Sequence, residues 1–205
     1  LEQDYSLADR FFILCHTYVF YLVQFVAPHH LSSVYAYPDL RDGSLPLLYY
    51  LSAVIPLMIL ALVWIYRKKQ RELIAALLFF TVAVGPTLPL FWSRVMVAAD
   101  RYAYLSFIGL SLFLGILVER AFRKKHVVIP YQRYGIAVLI AAFGIFMIYT
   151  SYRQIPYWKS GDLLLSRSVQ LSTSSPEKAL SYFYRGNIRQ NIAESKYRQG
   201  QASGN

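Results

Sequence analysis

Hydrophobic residues in this chain fall in blocks rather than at a steady density. Five stretches, at positions 11–26, 47–66, 73–91, 102–122 and 134–149, are mainly apolar, and each is closed by charge or proline. A helix rises about 1.5 Å per residue, so about 20 residues cross a hydrocarbon core of about 30 Å. Four of the blocks reach or approach that length, and the first is the weakest. The pattern predicts an all-α fold: a polytopic transmembrane helical bundle of about five spans. In the third block, Gly85-Pro86-Thr87-Leu88-Pro89 interrupts the run. Proline removes a backbone donor and clashes with the preceding turn, so this helix is expected to kink or end near that side.

The pattern changes at about Tyr152. Serine, glutamine, arginine and asparagine become common, and Ser160-Gly161 and 172–176 are turn signals. Between them, 162–171 has apolar residues at helical spacing. Pro176 then opens a second helix, with Ser175 as its N-cap. The expected division is a transmembrane helical domain over 1–151 and a helical segment over 152–205.

Charge sharpens this picture. Apolar residues make up 56% of the chain and charged residues 16%, with a net charge of +10. The basic residues concentrate in two short turns between blocks, Arg67, Lys68, Lys69 and Arg71, then Arg120, Arg123, Lys124 and Lys125. That is the positive-inside pattern, which places both turns in the cytoplasm. The blocks then alternate so that 28–46, 93–101 and the tail from 152 onward lie outside. The polar start, Leu1 to Arg10, lacks the basic region and apolar core of a signal peptide, and the chain is expected to be a piece of a longer protein. Groove-reading motifs are absent, so nucleic acid is not an expected partner. Cys15 has no intrachain partner and is expected to be a buried thiol. His16, alone within the first block, is expected to hydrogen-bond between helices.

Two outside segments carry candidate chemistry. Asp100-Arg101-Tyr102-Ala103-Tyr104 puts a carboxylate, a guanidinium and two phenols at the start of the fourth block. Ionisable groups at a membrane boundary are costly unless they pair or face an aqueous cavity. A planar guanidinium can give a phosphate or carboxylate two parallel hydrogen bonds. The competing reading is local: Asp100 and Arg101 cap the helix or pair with a neighbouring loop, and the tyrosines form an interfacial belt. The other segment, His29-His30-Leu31-Ser32-Ser33-Val34-Tyr35-Ala36-Tyr37-Pro38, lacks the histidine spacing of a metal site and reads as an ordered turn or a headgroup contact. No metal site, nucleotide loop or Ser/His/Asp set is found.

Several stretches, in order, resemble one family. Pro28, Leu31-Ser32-Ser33-Val34-Tyr35-Ala36-Tyr37-Pro38 is similar to a "P-x-x-L-S-x-x-Y-x-Y-P" loop. Ala99-Asp100-Arg101-Tyr102-Ala103-Tyr104-Leu105-Ser106-Phe107-Ile108-Gly109 is similar to "A-[DE]-R-Y-x-Y-L-P-x-x-G", with Ser106 where proline is usual. Arg153, Trp158 and Leu165 match an "R-x(4)-W-x(6)-L" lead-in, and Tyr184-Arg185-Gly186-Asn187 resembles the first helix of a tetratricopeptide (TPR) repeat. The combination resembles C-type glycosyltransferases, similar to protein O-mannosyltransferases, that carry C-terminal TPR repeats. The chain would correspond to the C-terminal half of the membrane domain and the start of the repeats.

That resemblance implies a hexosyltransferase moving sugar from a polyprenyl-phosphate donor to a protein or glycan acceptor, on the extracytoplasmic side of a bacterial inner membrane or the ER membrane. The catalytic acid would lie in a loop upstream of Leu1, so this piece alone would be inactive. Arg101 would contact the donor phosphate and Asp100 orient it, while Tyr102, Tyr104, Tyr35 and Tyr37 line the pocket or anchor it. The TPR segment would hold the acceptor or a partner. The alternative is a non-enzymatic membrane scaffold whose repeats bind proteins.

Overall fold

The computed structural model describes residues 5–28, 31–32, 35–40, 43–89, 96–123, 130–172 and 175–203. The fold is all-helical, with no strand among the described residues. One isolated antiparallel bridge joins Tyr35 to Ala98. The expected all-α class therefore holds.

Helix α1 (Leu7–Val26) starts at a capping box. The Ser6 hydroxyl accepts from the Asp9 N–H at 3.1 Å, and the Asp9 carboxylate accepts from the Ser6 N–H at 3.1 Å. Helices α2 (Leu47–Ser52) and α3 (Val54–Tyr66) form one apolar rod with a break at Ala53. Pro56 explains the break, because it has no N–H to give the Ser52 carbonyl and its ring crowds that oxygen. Helix α4 (Arg71–Val84) stops where the sequence predicts, at the Gly85–Thr87 turn that contains Pro86. A second short turn, Asp100–Ala103, leads into α5 (Tyr104–Arg123). Helix α6 (Pro130–Gln154) continues through Ile155–Lys159 to α7 (Gly161–Leu171) and α8 (Ser175–Ser203).

Helices α4 and α5 pack closely along one face. Gly109 makes this possible: a Cβ there would lie 2.7 Å from the Ala76 carbonyl oxygen and 2.7 Å from the Phe80 nitrogen. Small residues at such crossings let backbones meet in the absence of a hydrophobic drive. At one end of this pair, Arg120 bonds Glu72 at 2.7 Å and also Gln70, which brings the two basic turns together. The buried core gathers toward the other end, with Tyr18 and Tyr21 of α1, Phe80 and Val84 of α4, and Val97, Ala98 and Ala103 before α5.

Three stretches are long and apolar enough to cross a membrane: Leu47–Tyr66, Asp100–Arg123 and Tyr134–Lys159. Their outer faces carry exposed Leu60, Trp64, Ile108, Leu112, Val138, Leu139 and Ile148. Exposed apolar surface on this scale suits lipid rather than water. Two of the five expected spans do not reach the same length and hydropathy. Helix α4 has 14 residues, about 21 Å, before Gly85 stops it. Helix α1 has 20 residues but carries Asp9 and Arg10 in its first turn and buries Thr17 and Gln24.

The tail is helical, as expected, and α7 packs against α8. The Asp162 carboxylate accepts from Arg189 Nε at 2.7 Å and from Arg185 Nε at 3.2 Å. Helix α8 runs unbroken over 29 residues through Tyr184–Asn187, so the turn that would divide a repeat into two helices is not formed within it.

Candidate functional site

Asp100 and Tyr35 meet at the end of the bundle opposite the basic turns. The Tyr35 hydroxyl donates to the Asp100 carboxylate at 3.0 Å. The same oxygen accepts from the Ser32 N–H at 2.9 Å and, more weakly, from Gln24 Nε2 at 3.4 Å. The phenol is therefore saturated, with one proton given and both lone pairs used. The backbone holds this loop in place, since Val97 N–H donates to the Tyr35 carbonyl at 2.9 Å. The Phe20 ring meets Tyr35 edge-on at 4.9 Å. Tyr21 of α1 lies against Ala99, its hydroxyl 3.3 Å from the Ala99 nitrogen and 3.4 Å from its carbonyl oxygen.

The tail joins the same structure. Ser32 Oγ donates to Ser168 Oγ of α7 at 3.0 Å, and Ser168 in turn donates to the Leu164 carbonyl at 3.2 Å. Both serines are buried. A continuous hydrogen-bonded path thus runs from α7 through Ser32 and Tyr35 to Asp100.

The six residues singled out from the sequence separate into distinct places. Asp100 and Tyr35 come together. Arg101 is exposed, with its guanidinium 5.2 Å from the Tyr102 ring and no carboxylate partner within 4 Å among the described residues. Asp100 therefore turns to the loop, as the local reading of this segment had it, while Arg101 faces outward. Tyr104 is 68% exposed on α5. Tyr37 lies apart, its ring 5.6 Å from Tyr5. Tyr5 donates to the Pro38 carbonyl at 2.8 Å, and burial, then the Asp39 charge, push its phenol up to about 12.

His16 bridges helices as expected. Its Nδ1 lies 2.9 Å from Ser52 Oγ, whose own proton goes to the Leu48 carbonyl at 2.6 Å, so the ring N–H is the donor. Cys15 is buried and free. No metal-binding cluster is found among the described residues. The expectations for His29, His30, Ser33, Val34, Lys124 and Lys125 fall outside the described residues.

Ser32 lies in the loop segment that the sequence offered, whereas three other site residues were not singled out. Tyr21 and Gln24 lie one turn apart in the first apolar block, where a buried polar residue such as Gln24 is a usable signal. Ser168 gave none, because one serine in a serine-rich tail is unremarked until the tail is folded. Comparison with protein-family models, with curated proteins and with solved structures returned no match for this chain.

Proposed function

We propose that this chain belongs to an integral membrane glycosyltransferase that moves a sugar from a polyprenyl-phosphate donor to a protein or glycan acceptor. The observation that carries the reading is an anchored Asp100 beside an outward Arg101 that has no carboxylate partner among the described residues, at the same end of the bundle. A fixed carboxylate beside an exposed guanidinium suits a site for a phosphate headgroup: the arginine takes the anion and the acid stays clear of it. The apolar faces of the three long helices would let a polyprenyl chain approach that end from lipid. In this reading the basic turns face the cytoplasm, the Asp100 end and the tail face outside, and the catalytic acid comes from an upstream loop. Tyr102 flanks the headgroup, Tyr104 faces lipid, and Tyr35 holds Asp100.

The test uses the whole protein that contains this chain, in vesicles, with a radiolabelled polyprenyl-phosphate sugar. Losing a hydrogen bond to a charged group costs about 1.5–3 kcal/mol. Arg101→Ala is thus expected to weaken donor binding on the order of tenfold to a hundredfold. Unchanged donor affinity and transfer would remove the phosphate role.

A second reading, a non-enzymatic membrane scaffold, draws on α8, which leaves Tyr182, Phe183 and Tyr197 exposed. Sugar transfer by the whole protein decides between the two. Its absence, together with retained protein capture by α7 and α8, favours the scaffold.

A further inference from the structure

We infer that α1 does not cross the bilayer but lies along the membrane surface, over the Asp100 end of the bundle, with its outer face in the lipid interface. The inference stands on where α1 touches its neighbours. Phe12 meets the Tyr50 ring at 4.7 Å, and His16 bonds Ser52. Tyr18 meets the Phe80 ring at 5.3 Å and bonds Thr81 at 2.9 Å. Tyr21 reaches Ala99, and Phe25 meets the Phe107 ring at 5.3 Å.

Besides packing on α3, α1 makes these side-chain contacts in α2, toward the end of α4 and around the start of α5. All three lie within about 10 Å of one end of the bundle, at 1.5 Å per residue. From Phe12 to Phe25 α1 itself advances about 20 Å. A helix crossing beside the others would carry its early residues down toward Trp64, Glu72 and Arg120. Instead Leu7 is 82% exposed and Phe11 49%.

The two faces of α1 support the same placement. The buried face is mixed, with Thr17, Tyr18, Tyr21 and Gln24 bonded to protein or packed on it. The outward face is apolar, with Leu7, Phe11, Val23 and Val26 exposed. The helices that α1 touches, α2 and α5, also expose apolar residues, Leu48 and Tyr104 among them, so the occupant is the lipid those helices face. An amphipathic helix lying in the plane of the membrane buries its apolar side at the boundary between headgroups and acyl chains. Its charged first turn, Asp9 and Arg10, then stays at headgroup level, whereas in a spanning helix these residues would sit toward the opposite leaflet.

The experiment is side-specific labelling and depth measurement on the protein reconstituted in sealed vesicles, with Cys15→Ala as background. Single cysteines replace Ala8 and Val26, near the two ends of α1, with Lys68→Cys and Lys178→Cys as markers of the basic turn and the tail. A membrane-impermeant maleimide is expected to reach Ala8→Cys, Val26→Cys and Lys178→Cys from one side and Lys68→Cys from the other. Nitroxides at Phe11→Cys and Val23→Cys are expected at equal, shallow depth by oxygen and nickel accessibility. If α1 crosses the bilayer, the Ala8 and Val26 positions label from opposite sides and the two nitroxides differ in depth by about 18 Å, which overturns the inference. Labelling from one side with both nitroxides fully in water or excluded from oxygen also overturns it, because another protein or solvent then covers the face. All four α1 positions are exposed or at the helix surface, and unchanged helical circular dichroism checks that the variants fold.

Discussion

Helices α5 and α6 are alike in composition and opposite in packing. Both are long and apolar enough to cross a membrane, and both contain two glycines. Gly109 of α5 brings its backbone onto α4, so tightly that a methyl group would strike the Ala76 and Phe80 backbones. Gly135 and Gly144 of α6 face open space, and no residue in the apolar window of that stretch is buried. Hydropathy alone does not distinguish the two. Apolar composition places a helix in lipid, whereas a close backbone approach selects its neighbour. Helix α6 therefore meets the described residues mainly toward its C-terminal end, against the Ile155–Lys159 turn, and leaves its length to lipid or to protein outside this sequence.

The most severe way to break this comparison is a matched pair of substitutions. Gly109→Leu is expected to cost about 2–4 kcal/mol, because both α4 contacts are backbone atoms that cannot turn aside. Gly144→Leu is expected to stay within about 0.5 kcal/mol, since nothing lies within 4 Å of its Cβ position. Unfolding in mixed micelles measures both. Equal effects would show that α6 has a partner as close as that of α5.

A smaller effect is expected within the candidate site. Tyr35→Phe removes the donor to Asp100 and the acceptor for Ser32, at about 1–3 kcal/mol. Tyr104→Phe alters an exposed side chain and is expected to change stability by less than about 0.5 kcal/mol. Reversal of that order would place the packed end of the site at Tyr104 instead of Tyr35.

The least effect concerns the tail and depends on pH. The hydrogen bond from Arg189 holds the Asp162 carboxyl below its usual range; partial burial opposes this, and the bond from Arg185 and the charges of both arginines reinforce it. A carboxyl depressed in the folded state adds stability above its unfolded value of about 3.9 and loses it as pH falls through the folded value. The α7–α8 pair is therefore expected to loosen below about pH 4. Trp158 fluorescence and proteolysis of α8 should report the change. Asp162→Asn should flatten that response, and an unaltered pH profile in the variant would assign the acid sensitivity elsewhere.

Much of the fold was legible because its signals are local. The end of α4 at Gly85-Pro86, the helical tail opening at Ser175-Pro176 and the bridging role of His16 each follow from one or two residues. The pairing of Asp100 with a neighbouring loop was one of two readings that the sequence left open. It could not name Tyr35 as the partner, since that residue is 65 positions away and only folding brings its hydroxyl to 3.0 Å. The placement of α1 was not legible either. A run of 16 mainly apolar residues looks the same whether it passes through lipid or lies along it, and only its contacts at Tyr50, Phe80 and Phe107 distinguish the two.

The buried hydroxyl pair Ser32–Ser168 makes the C-terminal hairpin more than an appendage. One hydrogen bond joins α7 to Ser32, a second joins Ser32 to Tyr35, and a third joins Tyr35 to the Asp100 carboxylate. A shift of the hairpin is therefore tied to the acid by three polar links, and cutting the serine pair would leave each end to move on its own.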